Sequence, residues 1–420
     1  MDLASKLFKG DRVIWIIFMF LCLISAVEVF SATSTLAYKN VNHWAPIARH
    51  ASFLLTGFVA VVVIHNIHCR FFSLGILLLL ISIVMLIVTP FIGVSENDAY
   101  RWLSIFGFQV QPSEFAKLGS IIFVSFMLSK RGVFTEKTIF WWIFIGVSIT
   151  CALILPENLS TAFMLFGVCF LMMFIGQISI VRLTKLAGVL LLLLGLFVAS
   201  WFVIPDTMWK QIPIMDRVPT WKGRLAKFFN NDNDNDANTF NAKVLFNGDN
   251  YQVTHAKIAI ARGGISPQMP GHGKQRDFLP QAFSDFIYAI IIEELGLVGG
   301  GFVLLLYIMI LVRAGMIARK CQKLFPKYLV LGCGLLLVVQ ALANMAVAVN
   351  LIPVTGQPMP LVSRGGTSTV ISCVYFGIIL SISRFGAHIG DEEEETEIVE
   401  ETEAKEVEEL LPIETANEEV

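Results

Sequence analysis

Charge is what this sequence has least of. Asp, Glu, Lys and Arg account for 15% of its 420 residues, against 55% hydrophobic. A soluble domain has roughly a quarter of its residues charged to cover its surface, so a water-exposed globule is excluded. Cysteines are few and scattered: Cys22, Cys69, Cys151, Cys169, Cys321, Cys333 and Cys373 form no CxxC pair and lie in or near apolar segments. That spacing argues against a disulfide framework and against a zinc knuckle. No GxSxG, P-loop or HExxH occurs, which removes the signatures of a serine-hydrolase nucleophile, a phosphate-cradling loop and a zinc protease. The first apolar run has no small-residue cleavage site, so it reads as a retained helix and not as a cleaved signal.

Apolar runs of spanning length are what the chain does have. At a rise of about 1.5 Å per residue, about 20 apolar residues cross the hydrocarbon of a bilayer. Ten such runs are read: 13–34, 46–65, 71–93, 113–129, 138–155, 160–177, 183–204, 285–312, 328–351 and 366–384. The eighth is long enough that only its later part need sit in hydrocarbon. Lys and Arg concentrate in alternate connections, from Lys6, Lys9 and Arg12 to Arg313, Arg319, Lys320, Lys323 and Lys327, then Arg384. The opposite short loops carry only Lys39, Arg101 and Arg364. That bias puts both termini in the cytoplasm.

The fold class expected is therefore an all-α polytopic membrane protein, with about ten transmembrane helices and one large extracytoplasmic loop. Residues 1–12 form a cytoplasmic N-terminus, 13–385 the membrane domain, with the external loop at 205–284, and 386–420 an acidic cytoplasmic tail. From Asp391 to Val420 the tail holds fifteen acids and one Lys, which leaves 18 acids and 30 bases, about +12, in the body. A basic body suits anionic lipid or a phosphorylated lipid substrate. The tail lacks aromatics, repels itself and reads as disordered. Within the external loop, Asn230 to Asn238 alternates Asn and Asp; a flexible turn is favoured over a calcium loop, because the EF-hand ligand order is missing.

Three clusters carry chemistry. The first is Asn97-Asp98-Ala99-Tyr100-Arg101-Trp102, followed by Gln111-Pro112-Ser113-Glu114 and Lys117. Pro112 and Ser113 start a helix, and Glu114 and Lys117, three apart, can pair on one face. The pair either neutralises two charges at a helix entrance or anchors a polar headgroup. The second cluster runs from Gly271 through Lys274, Arg276, Leu279 and Pro280 to Ser284-Asp285, with Glu293 and Glu294 beyond. Asp285 sits where water meets lipid and can act as a base on a hydroxyl delivered from outside. The bland alternative is a first-turn Asp behind a Ser284 N-cap. The third cluster is Pro353 to Pro360, then Ser363-Arg364-Gly365-Gly366. Irregular backbone at membrane depth must be buried in protein or line a cavity, and Gly365 and Gly366 let backbone N–H groups approach a phosphate. His65, His68 and Cys69 have a spacing compatible with metal but no fourth ligand.

These clusters, in this order, resemble the SEDS family (shape, elongation, division and sporulation). Its patterns are an Arg-Trp loop with Gln-Pro-Ser-Glu and Lys, a Leu-Pro…Asp-Phe-Ile segment with Glu-Glu-Leu-Gly downstream, and a Pro-x-x-Gly…Pro…Ser-x-Gly-Gly loop. All occur here, over residues 10 to 385. Gln357 to Pro360 with Ser363 to Gly366 look more like the division branch than the elongation branch. The resemblance implies polymerisation of lipid II into β-1,4 glycan strands outside the inner membrane, at the division septum, with Asp285 as the catalytic base. It implies a class B penicillin-binding protein as partner, alongside other divisome proteins, undecaprenyl-linked glycan and membrane lipid; nucleic acid is not expected. Candidates for holding substrate are Arg101, Trp102, Glu114, Lys117, Arg224, Lys274, Arg276, Ser363, Gly365 and Gly366. A divalent cation, Mg or Mn, is the one cofactor left open. The chain departs from the family at Glu157-Asn158 (usually Asp-Leu), Thr355 (often Lys), Asp98 (usually Gly) and Arg364 (commonly Tyr), and no role is assigned to Glu157. The competing readings are a lipid II flippase, which needs no external base, an elongation-type polymerase, and a non-catalytic scaffold.

Overall fold

The computed structural model describes residues 8–32, 45–96, 99–105, 108–203, 218–230, 248–265, 267–279 and 282–386. The expectations about the acidic tail, the Asn/Asp stretch past Asn230, Asn97, Asp98 and Pro280 lie outside these residues.

Among the described residues, twelve α-helices run in chain order: α1 Arg12–Ala32, α2 Ala45–Ile64, α3 Ile76–Ile92, α4 Pro112–Ser129, α5 Glu136–Ile154, α6 Leu159–Ile175, α7 Ile180–Val203, α8 Val218–Asn230, α9 Gly248–Gly263, α10 Ile287–Lys320, α11 Leu324–Ala348 and α12 Thr367–Phe385. Eight of the helical segments are long and apolar enough to cross a membrane. The other two apolar helices, α4 and α6, coincide with the fourth and sixth expected spans. α4 carries Glu114 and Lys117, and α6 is one residue short of the length of α4, at 17.

Two helices, α8 and α9, occupy the segment read as one long external loop; both are polar and neither is a span. A three-stranded antiparallel sheet, β1 Val94–Glu96, β2 Ala99–Ile105 and β3 Phe108–Val110, occupies the connection between α3 and α4. The all-α description thus needs this one amendment.

Packing sorts the helices into a centre and a rim. α11 and α12 have 67% and 72% of their spanning windows buried, whereas α3 and α7 have 17% and 11%. Long apolar side chains on α7, such as Leu191, Leu192 and Leu196, remain exposed, as a lipid-facing helix requires. α11 packs on α4, α6, α10 and α12, and α12 packs on α2.

α10 is broken. Gly296 has φ 72° and ψ 179°, and a Cβ there would lie 2.9 Å from the Ile265 carbonyl oxygen. Glycine is needed because the chain after α9 inserts at the break: Leu297 N donates to Gly264 O at 2.9 Å and Met269 N to Glu294 O at 2.9 Å. Gly263 is equally constrained, since a Cβ there would collide with the Ile292 carbonyl. Residues Ile287 to Glu294 are buried in protein.

Candidate functional site

The sheet exists to aim two consecutive side chains one way. In the β1–β2 pair, Val94 faces Trp102 while Ser95 faces Tyr100. Arg101 is the extra residue of a bulge, which frees it from strict alternation. Arg101 and Trp102 therefore both line one cavity of about 450 Å³. Gln109 of β3 and Gln111, the N-cap of α4, also line it. Pro112 takes the first helical position, as expected.

Asp285 reaches this cavity from the turn before α10. The expected Ser284 cap is corrected here: α10 begins at Ile287 behind Phe286, with no side-chain cap. Ser284 Oγ instead donates to Asp285 Oδ1 at 3.1 Å. The bland role for Asp285, favouring a helix dipole from its first turn, is therefore absent. Burial pushes its carboxyl above the ordinary aspartate range, while the Ser284 hydrogen bond and the charges of Arg101 and Arg224 pull it back. The turn is pinned from two sides. Asn344 Nδ2 donates to Asp285 O at 3.0 Å and to Gln357 O at 2.8 Å. Ser363 Oγ donates to Ser284 O at 2.7 Å and accepts from Met359 N at 2.8 Å.

The third cluster forms the opposite wall with Gly356, Gln357, Pro358, Arg364, Gly365 and Gly366. Gly356 has φ +66°, and a Cβ on it would stand 3.8 Å from Asp285 Oδ2 and 4.0 Å from Arg101 Nη1. Gly356 thus leaves room between the Asp285 carboxyl and the Arg101 guanidinium.

The candidates divide. Arg101, Trp102, Glu114, Asp285, Gly365 and Gly366 line the cavity together. Lys117 does not: at 0% exposure it is held by Glu114 Oε1 at 2.8 Å and Gln340 Oε1 at 3.0 Å. It neutralises Glu114 from behind. Ser363 is a brace for the Asp285 turn. Lys274 is exposed, and its backbone N–H, with that of Gln275, caps Glu293. Arg276 Nη1 donates to Ser31 Oγ at 2.7 Å and lies 3.8 Å from Glu294. These groups clamp the 271–277 segment onto α1 and α10, away from the cavity. Arg224 donates to Val354 O at 3.2 Å and lines a second cavity.

That second cavity, about 560 Å³, is apolar: Phe163, Leu190, Leu193, Leu194, Phe197, Trp221 and Leu225 are among its walls, and it shares Arg101 with the first. Behind the shared wall sits Glu157. Its backbone oxygen accepts from Arg101 Nε at 3.0 Å, while both its carboxyl oxygens are buried without partners. Burial pushes that carboxyl up to about 8, against the pull of Arg101.

Sequence reasoning assigned nothing to Arg49, His50, Phe283, Asn344 or Glu157. A signal existed for some of them. Arg49 and His50 stand inside an apolar run, where a charge costs about 2.5–3.5 kcal/mol on insertion scales and implies a partner or a cavity. Among the described residues no three His, Cys, Asp or Glu side chains gather to hold a metal. His68 caps the 3₁₀ turn Cys69–Gly75, and His65 Nδ1 bonds the Val61 carbonyl. All seven cysteines are free.

The model of the FtsW, RodA and SpoVE family, described as cell cycle protein, matches residues 11–388. The chain is 28% identical to the probable peptidoglycan glycosyltransferase FtsW of Geobacter metallireducens, over 89% of this chain and 95% of the relative. It is 30% identical to the probable peptidoglycan glycosyltransferase FtsW of Pseudomonas fluorescens, over 88% and 87%. In fold it is similar to a chain of a peptidoglycan synthase complex solved for its coordination of polymerization and crosslinking. That likeness has a TM-score of 0.69 at 21% identity, over 89% of this chain and 98% of the other.

Proposed function

The chain belongs to the cell cycle protein family of FtsW, RodA and SpoVE, and from that premise we infer that it is a peptidoglycan glycosyltransferase. Its substrate is lipid II, polymerised into β-1,4 glycan strands at the outer face of the inner membrane. The observation that carries this reading is Asp285, a buried carboxyl at the wall of a polar cavity that also holds Arg101 and a glycine-lined loop.

In this reading Asp285 takes the proton from the 4-hydroxyl of the acceptor sugar. The oxygen forms a bond to the anomeric carbon of the lipid-linked strand. The bond from that carbon to the diphosphate oxygen breaks, and its electron pair leaves with undecaprenyl diphosphate. A raised pKa makes the carboxylate a stronger base at the cost of being protonated over a wider range of low pH. Arg101 faces the same space and offsets the negative charge that appears on the leaving group. The apolar cavity beyond Arg101 takes part of a prenyl chain. The described side chains do not assemble a metal cage, so no step is routed through Mg or Mn; such an ion would arrive on the diphosphate oxygens.

The partner is a class B penicillin-binding protein, working with other divisome proteins at the septum. Both termini are cytoplasmic. Support for the division role comes from the FtsW relatives, and support for the orientation from the Lys and Arg distribution. The test is lipid II polymerisation by wild-type and Asp285→Asn protein, each with its partner transpeptidase inactivated. Glycan ladders from wild type alone are expected. Equal ladders from both would remove Asp285 as base, and no ladder from either, with lipid II flipping retained, would replace polymerase by flippase.

A further inference from the structure

Arg101 is one of three arginines on the polar cavity; Arg49 of α2 and Arg364 are the others. Glu114 faces the same space but is already neutralised by Lys117 at 2.8 Å. The cavity thus presents three cations against the single carboxylate of Asp285. Arg49 and Arg364 stand out further. Among the described residues the Arg49 side chain makes no hydrogen bond or ion pair, and Arg364 has no carboxylate partner. Its guanidinium lies 5.3 Å over the Phe283 ring, and its backbone N–H donates to Phe283 O at 2.9 Å. That anchorage fixes Arg364 two positions from Asp285 in the turn it braces. Burial and the nearby Arg49 charge hold the Arg364 guanidinium below its ordinary pKa. Among the described residues neither of these two neighbouring like charges meets a carboxylate, an arrangement that suits an anion.

The surroundings fit an anion with several acceptor oxygens. α12, a 19-residue helix, starts beside Arg364 with Gly366 as its N-cap and no side-chain cap; the Ser368 N–H is taken by Gly365 O at 3.1 Å, and no side chain caps the rest of the first turn, whose N–H groups and helix dipole favour an anion. Ser368, in its first turn, lines the cavity. The Thr367 and Thr369 hydroxyls in that turn are buried without partners. His50, 4% exposed, also lines the cavity; its Nε2 bonds Ser25 Oγ at 3.0 Å, while Nδ1 has no partner. Gly366 has φ +54° and packs its bare Cα near Phe53, which keeps the backbone open to the space.

We propose that Arg49, Arg364 and the N-terminus of α12 form the diphosphate subsite of the reaction, holding the leaving group with Arg101 at its edge while Asp285 faces the acceptor sugar. This rests on the polymerase reading above. It adds to Arg101, for the charge on the leaving oxygen, two guanidiniums that sequence reasoning passed over, and it leaves Lys274 and Arg276 out of that role.

Binding of farnesyl diphosphate to the detergent-solubilised full chain tests the proposal, with farnesyl monophosphate and inorganic pyrophosphate as comparison probes. Arg49→Gln and Arg364→Gln should each weaken farnesyl diphosphate roughly tenfold or more, the loss of one charge-assisted contact. Arg364→Lys should recover part of the loss, and thermal unfolding should match wild type. Arg49 is exposed, so its variant remains informative if Arg364→Gln fails to fold. Wild-type affinity in the double variant would overturn the subsite, as would farnesyl monophosphate binding as tightly as the diphosphate. Competition by inorganic pyrophosphate would support a site that reads the diphosphate itself; failure to compete would support a lipid-borne diphosphate only. Asp285→Asn in the same panel should bind farnesyl diphosphate normally. If that variant also polymerises lipid II, the base assignment falls while the subsite stands.

Discussion

Two cavities meet at Arg101 and differ in what they ask of a ligand. The first is walled by Asp285, arginines, glutamines and glycine backbone; the second by leucines, phenylalanines and Trp221. They are of similar size, about 450 and 560 Å³. A polar headgroup and an apolar chain on one molecule would each find a matching wall on either side of a single guanidinium. The polar cavity is built from loops braced by the central helices α11 and α12, whereas the apolar one borrows the rim helix α7. The polar cavity thus rests on the buried centre of the bundle, and the apolar one opens on its rim, where contact is non-directional.

The largest effect expected on this division is at Asp285. Asp285→Asn should lower polymerisation by about 10²–10⁴-fold, the usual contribution of a positioned base, with little change in unfolding temperature. In wild type the acid limb of the rate against pH should lie above the ordinary aspartate range, because burial raises this carboxyl. The rate falls as pH drops through that raised value and the base is protonated.

Next is the shared wall. Arg101→Gln should cost about 10–100-fold in rate, the range for losing a hydrogen bond to a charged group. It should also move the acid limb to higher pH, since the Arg101 charge now holds Asp285 down. A rate loss with an unmoved limb would mean that Arg101 touches substrate without touching the base.

A smaller effect belongs to the apolar side. Trp221→Ala should raise KM for lipid II by about tenfold and leave kcat nearly unchanged, as loss of uniform apolar contact does. A fall in kcat at constant KM would deny that the second cavity holds chain.

The last effect is on stability and not on rate, at Glu157 beside Arg101. Its carboxyl rises from 4.5 to about 8 on folding. The folded state therefore holds a proton that the unfolded chain releases, so stability is greatest below about pH 4.5 and falls as pH rises through the window to about 8. Thermal unfolding of Glu157→Gln should lack this decline, whose slope is at most about 1.4 kcal/mol per pH unit. An unchanged pH profile would show that Glu157 is not the titrating group.

Some of this was legible in residue order. Spanning helices announce themselves because hydrocarbon demands about 20 apolar residues in one stretch, and the ten expected spans all have helices. Asp285 was legible too, because an acid at the edge of a span is costly and seldom idle. The bulge that turns Arg101 inward was not, since Val94 must pair with Trp102 and Ser95 with Tyr100 before one residue is left over. Nor was the burial of Lys117, whose ammonium needs Gln340 from a helix 223 positions away.

Local composition by itself determined that the chain lies in a membrane, where its long apolar helices fall and which connections carry polar chemistry, because solvent and backbone hydrogen bonding act on each segment separately. Only the tertiary structure decided which cations share a space with Asp285. Arg49 and Arg364 lie 315 positions apart in a chain of 420, and their meeting depends on how α2 packs against α12. Lys274 and Arg276, near neighbours of Asp285 in sequence, are drawn away by Ser31 and Glu294. Charge acts through distance in space, and packing sets that distance.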